Sequence, residues 1–169
     1  MGTVGRARQC ARNLIKKHAV RSVPIDVLGL IGKEAPGYRI IYEENWPDRL
    51  SGLTNRTQKT IRINKKHRPL RQRFSLAHEF GHICLEHDLV LAERIEGEDV
   101  KNEIEKEADE FAAELLMPID VFKKAFSANP DLEALAEMFE SARLPSPFAC
   151  SSSTSSERFN HCHTQRMYL

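Results

Sequence analysis

The stretch Phe74-Ser75-Leu76-Ala77-His78-Glu79-Phe80-Gly81-His82-Ile83-Cys84-Leu85-Glu86-His87 decides how this chain is read. It has no proline and a single glycine, so helix is predicted throughout. On a helix, residues four apart lie one above the other, and His78 and His82 can aim ring nitrogens at one ion. Glu79 stands beside the first histidine, off that line yet close enough to take a proton from an attacking water. His78 and His82 are thus predicted metal ligands and Glu79 the predicted general base.

The HExxH pattern on a helix is that of a zinc peptidase, and a catalytic zinc needs a third protein ligand with one position left for water. Glu86, one turn past His82, fails on geometry. Three turns in line cover about 12 Å, whereas every ligand must lie about 2 Å from the ion. Another element must supply the ligand. In residues 102–118, Ile104, Ala108, Phe111, Ala112, Leu115 and Leu116 recur at helical spacing until Pro118 ends the run. Glu105 and Asp109 flank this apolar stripe, and the small Ala108 and Ala112 would let the helix approach the histidine helix closely. Glu105 is the favoured third ligand of one Zn2+ per chain, with Glu107 as the alternative. Asp109 is placed to accept a hydrogen bond from a ligand histidine. Glu103, Lys106 and Glu110 read as a solvated face.

Three segments, Ile61-Arg62-Ile63-Asn64, 71–82 and 105–118, in this order and spacing, resemble the ImmA/IrrE family of metallo-endopeptidases, a gluzincin-like group. The resemblance spans roughly residues 24–140. It implies an α+β fold in which a small antiparallel sheet packs on a zincin-type helical core carrying the HExxH helix. It also implies Glu105 as the ligand, since the family's Glu-x-x-Ala-Asp-type segment begins with the ligating Glu. Its implied activity is hydrolysis of peptide bonds in a helix-turn-helix repressor of a mobile element or stress regulon. The alternative is a metal-binding module that sequesters such a repressor without cutting it. Competing HExxH classes fit less well. A third histidine six residues after His82 would mark a metzincin, but Asp88 is there, and Cys10 lacks the neighbours of a deformylase ligand segment.

A chain of 169 residues, 41% hydrophobic, can bury a sizeable core. It has no apolar run of about 20 residues, so no membrane partner is expected. Cys10, Cys84, Cys150 and Cys162 show no paired spacing and no secretory apolar segment follows Met1, so a reducing, cytoplasmic location is expected. Cys84, about 200° round the helix from His82, reads as a packed thiol. Net charge is +1, yet residues 1–73 hold 17 basic and 5 acidic side chains and residues 74–140 hold 5 and 18. Such segregation either steers a charged partner or folds back on itself. With no DNA-reading motif, direct nucleic-acid binding is not expected.

Residues 1–23 read as an N-terminal helical extension (helix over 6–19) and 24–140 as the zinc metallopeptidase domain. Across the boundary, 22–31 is predicted as a helix capped by Ser22, and beyond it 38–43 and 60–64 as strands and 48–54 as strand or loop. The 60–64 strand is taken as the free edge on which Ile61, Ile63 and Asn64 would bind an extended substrate. Tyr42, His67 and Arg71 are candidates for the oxyanion donor. Residues 119–127 and 131–140 read as helices, with Asp131 at a cap or first-turn position. Residues 141–169 lack an apolar period and contain a serine run and His161-Cys162-His163, so disorder is expected there. The genetic code allows 141–153, read one base earlier, to encode a family-like Val-Ser, an apolar stretch and Arg-Leu-Gln-Gln, so a slip of the reading frame just after Glu140 is the expectation for this tail. DNA sequence across codons 138–155 tests this.

Overall fold

The computed structural model describes residues 3–87 and 98–140. These form, in chain order, α1 (Thr3–Lys17), α2 (Val27–Glu34), β1 (Arg39–Glu43), β2 (Gly52–Asn55), β3 (Thr60–Asn64), α3 (Pro69–Cys84), α4 (Glu98–Leu116), α5 (Ile119–Ala128) and α6 (Leu132–Phe139). The class is α+β, a small sheet on a helical core, as the sequence implies. The expectations placed on residues 141–169, including the shifted frame, lie outside the described residues.

Strand pairing differs from the wholly antiparallel sheet expected. The order is β1-β3-β2, with β1 parallel to β3 and β2 antiparallel to it. The 60–64 strand is therefore the centre and not the free edge. Its composition explains the place it takes: Thr60, Ile61, Ile63 and Asn64 are all buried, whereas β1 and β2 are half-exposed. A strand apolar enough to be covered on both sides satisfies its backbone best with a partner along each edge. Asn64 is no free substrate contact either. Its amide donates to the carbonyls of Leu50 (2.7 Å) and Pro47 (3.1 Å), pinning the loop that leads into β2.

The helices assemble by burying one face each. From α1, Ala7, Ala11 and Leu14 enter the main core with Leu30 and Ile31 of α2, Ile61 and Ile63 of β3, Phe80 of α3 and Phe111 and Leu115 of α4. The segment read as an extension thus shares the core of the rest. Asp26, not Ser22, caps α2: its carboxylate accepts from Gly29 N at 2.9 Å, and residues 22–26 are not helical. Met117, Leu135 and Phe139 form a smaller cluster under α5 and α6, and Asp131 caps α6 by accepting from the amides of Glu133 and Ala134.

Helix α3 begins five residues before the predicted start, because Pro69 suits the first helical position, where no amide hydrogen is needed. It also stops earlier than predicted, at Cys84. Glu86 takes a left-handed φ of 59°, which turns the chain back on itself. That reversal bears directly on the chemistry below.

Candidate metal centre

Two helices, α3 and α4, build the site. Gly81 makes their approach possible: a Cβ there would lie 3.0 Å from Phe111 Cδ1, 3.2 Å from Ala108 O and 3.3 Å from Ala108 Cα. With Ala108 and Ala112 both buried, small residues on both helices bring the backbones close. His78 and His82 then face Glu105 across the gap. Their Nε2 atoms are 3.0 Å apart; His78 Nε2 is 3.1 Å from Glu105 Oε2 and His82 Nε2 is 3.6 Å from Glu105 Oε1. Ligand atoms about 2.0–2.1 Å from a tetrahedral zinc ion stand about 3.3 Å apart, so these donors fit one ion. This is the one such cluster among the described residues.

The far side of each imidazole is held too. His78 Nδ1 lies 2.8 Å from Asp109 Oδ1. His82 Nδ1 lies 3.0 Å from Nδ1 of His87, whose Nε2 is 2.9 Å from Glu107 Oε2. Glu107, the alternative ligand in the sequence, thus turns to His87, away from the cluster. His87 has no place in the sequence reading, because a continuous helix would carry it away from His82. The turn at Glu86 returns it.

The local electrostatics follow from these contacts. Burial alone would lower the pKa of His78, but hydrogen bonds to Asp109 and Glu105 outweigh it and raise the group to about 10. Burial works against ionisation of Glu105, yet the hydrogen bond from His78 and the neighbouring imidazole of His82 hold its carboxyl well below the usual carboxylate range. For His87, burial dominates over the bond to Glu107 and the pKa is lowered.

Glu79 is buried beside the cluster, and burial raises its pKa against the opposing pull of His78 and of the bond from Thr54. Thr54 Oγ1 donates to Glu79 Oε2 at 2.7 Å. A Cβ on Gly52 would stand 2.6 Å from Glu79 Oε1, so β2 presses directly on the carboxylate. Among the described residues β2 is an edge strand, and it is the edge that borders the site.

The remaining sequence candidates scatter. Ile61 and Ile63 are core residues. Tyr42 lies on β1, across β3 from the strand that touches Glu79. His67 Nε2 bonds Asp48 O at 3.0 Å. Arg71, exposed at the start of α3, donates to Ser51 Oγ at 3.0 Å, immediately before β2. Cys84 is half-buried against the core, and burial raises its thiol pKa. Glu103 and Lys106 are exposed as expected, but Glu110 is buried against Arg8 at 2.6 Å, because α1 covers that face of α4.

Comparison with known proteins gives these contacts a lineage. Residues 33–143 match the M78 peptidase family, described as the IrrE N-terminal-like domain. The chain is 36% identical over 104 residues to the radiation response metalloprotease IrrE of Deinococcus radiodurans, a match covering 59% of this chain and 31% of that protein. Its fold is similar to that of a Mycobacterium tuberculosis transcriptional regulator, with a TM-score of 0.65 and 18% identity over 85% of this chain and 48% of that one. The chain therefore spans about a third and about half of these relatives' lengths, and the second likeness is one of fold. Among the described residues, no helix is long and apolar enough to cross a membrane. The family match takes in well over half of the chain, and it includes every residue of the His78–His82–Glu105 cluster: the protein belongs to the IrrE N-terminal-like family of metallopeptidase-type domains.

Proposed function

We propose that this chain is a cytoplasmic zinc endopeptidase that cuts a protein substrate, a helix-turn-helix transcriptional repressor. The observation that carries the reading is the convergence of His78, His82 and Glu105 with a buried carboxylate, Glu79, next to them. His78, His82 and Glu105 would hold the ion, and Asp109 orients His78. Zinc bound there supplies Lewis-acid polarisation of a peptide carbonyl and acidifies water. Glu79 takes the proton of the attacking water and passes it to the leaving amine, a role suited to a carboxyl whose pKa is raised by burial. Thr54 and Gly52 keep that carboxylate in place.

The free edge of β2 is the strand on which an extended substrate would pair, replacing β3 in that role. Main-chain pairing tolerates many sequences, so the choice of a repressor rests on surfaces beyond the edge.

Glu79→Gln is expected to keep zinc affinity and to lose about 10²-fold or more in turnover. Zinc-loaded wild type and variant are incubated with helix-turn-helix repressors from the same genome and read by intact mass. Fragments from the wild type alone support the reading. Fragments at equal rates from both refute the role of Glu79. A stable complex with both proteins and no fragment favours sequestration over cleavage.

A further inference from the structure

Five side chains form one hydrogen-bonded row through the site: Asp109, His78, His82, His87 and Glu107. Carboxylates close the row at both ends, and an ionised carboxylate can only accept. We propose that His87 and Glu107 are a positioning pair that fixes the tautomer of His82, keeping its Nε2 lone pair turned toward His78 and Glu105 before any metal arrives. The proposal rests on the metal-site reading above.

Proton counting along the row, together with the place of Glu105 beside it, fixes each direction. Asp109 Oδ1 accepts from His78 Nδ1–H, and Glu105 Oε2 accepts from His78 Nε2–H, so the metal-free imidazole carries both protons. The Nε2 hydrogen of His78 is shared with His82 Nε2, 3.0 Å away, and no second one fits in the gap. His82 Nε2 is then bare and its single proton sits on Nδ1. That proton fills the 3.0 Å gap to His87 Nδ1, which must be bare in turn. His87 keeps its proton on Nε2 and donates it to Glu107 at 2.9 Å. The row alone would allow its one extra proton on any of the three imidazoles; Glu105, 3.1 Å from His78 Nε2 but 3.6 Å from His82 Nε2, selects His78. His82, His87 and Glu107 are all buried, so no exposed face offers water as a substitute partner.

The consequence is an asymmetric ligand pair. His78 exchanges its Nε2 proton for the ion, while His82 enters the metal-bound state with its protons unchanged. The usual partner of a ligating histidine is a carboxylate, a carbonyl or water. Here a second imidazole carries the influence of Glu107 to His82, and the left-handed Glu86 is what lets His87 reach that position.

Nitrogen-15 NMR of the imidazoles in the full chain, without and with zinc, tests this directly. The expected result is Nδ1–H on His82 and Nε2–H on His87 in both states. A proton on His82 Nε2 in the zinc-free protein, or a tautomer change at His82 on loading, would overturn it. Variants add a second readout, zinc affinity by competition with a chromophoric chelator. His87→Leu, with no acceptor, is expected to lose about 10–100-fold. His87→Gln offers an amide acceptor to His82 and a donor to Glu107, and is expected to stay within a few-fold of wild type. Equal losses in both variants would reduce His87 to packing and overturn the proposal. Should His87→Leu fail to fold, the wild-type NMR result decides. A wild type that takes up no zinc defeats the metal-site reading, while the zinc-free tautomers still settle the pair.

Discussion

At the residue scale, protons and the proposed metal would compete for the same nitrogens. His78, raised to about 10 by Asp109 and Glu105 over the opposing effect of burial, holds a proton at neutral pH in the metal-free protein. Zinc uptake is therefore expected to release about one proton per site, and apparent affinity should fall as pH falls below that value. Calorimetry in buffers of different ionisation enthalpy measures the number. No proton release near pH 7 would contradict the contacts on His78. Gly52 gives a second prediction. In Gly52→Ala the new Cβ, 2.6 Å from Glu79 Oε1, forces the carboxylate to swing away. Turnover is expected to fall by about tenfold or more with zinc affinity unchanged, since Glu79 is not a ligand. The His78, Glu79 and His82 constellation was legible in the sequence because spacing along one helix is local information. Gly52 and Thr54 were not, because nothing local ties residue 52 or 54 to residue 79.

At the scale of elements, the distance between α3 and α4 sets the geometry of the donors. Gly81→Ala would gain about 1 kcal/mol of helix propensity. It would also push against Phe111, fully buried, and against the backbone of Ala108, neither of which can yield easily. Overpacking of this kind costs about 1–3 kcal/mol, so a net loss of about 1 kcal/mol is expected in urea unfolding. Weaker zinc binding should accompany it, as Glu105 moves off from the histidines. An alanine variant as stable as wild type and unchanged in zinc affinity would show that the helices can separate without effect. The helical run of α3, the apolar period of α4 and strands at 38–43 and 60–64 could be read from the chain. Which strand sits in the middle could not. Alternation marks a strand's faces, whereas its neighbours are set by what covers it. Full burial placed β3 at the centre and left β2 as the edge beside Glu79.

On the scale of the whole molecule, the segregation of charge along the chain is partly resolved inside the fold. Arg8 and Arg12 of α1 pair with Glu110 and Glu114 of α4 at 2.6 and 2.9 Å. The basic front thus folds onto the acidic back and stands behind the helix that carries Glu105. Arg12 is itself partly solvated, whereas Glu114 is almost fully buried and also accepts from Ile119 N. Arg12→Ala is expected to destabilise by about 1–3 kcal/mol, below the range for a fully buried pair, because water covers part of the guanidinium. A urea midpoint unmoved by the substitution would show that α1 is held by its apolar face alone.

What the sequence by itself determined lies within single helices: two histidines and a glutamate at fixed spacing, a second helix with Glu105 and Asp109 on one stripe, and an apolar pattern for an α+β domain. These follow from the period of the helix, which neighbours in sequence define. The tertiary structure alone decided that Glu107 serves His87, that His87 returns to His82, that Glu110 is buried, and that β2 borders the site. The return of His87 depends on the left-handed turn at Glu86, and the others on segments far apart in the chain meeting at one place, 102 residues apart for Arg8 and Glu110. Such meetings are chosen by the burial of whole faces, and no local pattern records them.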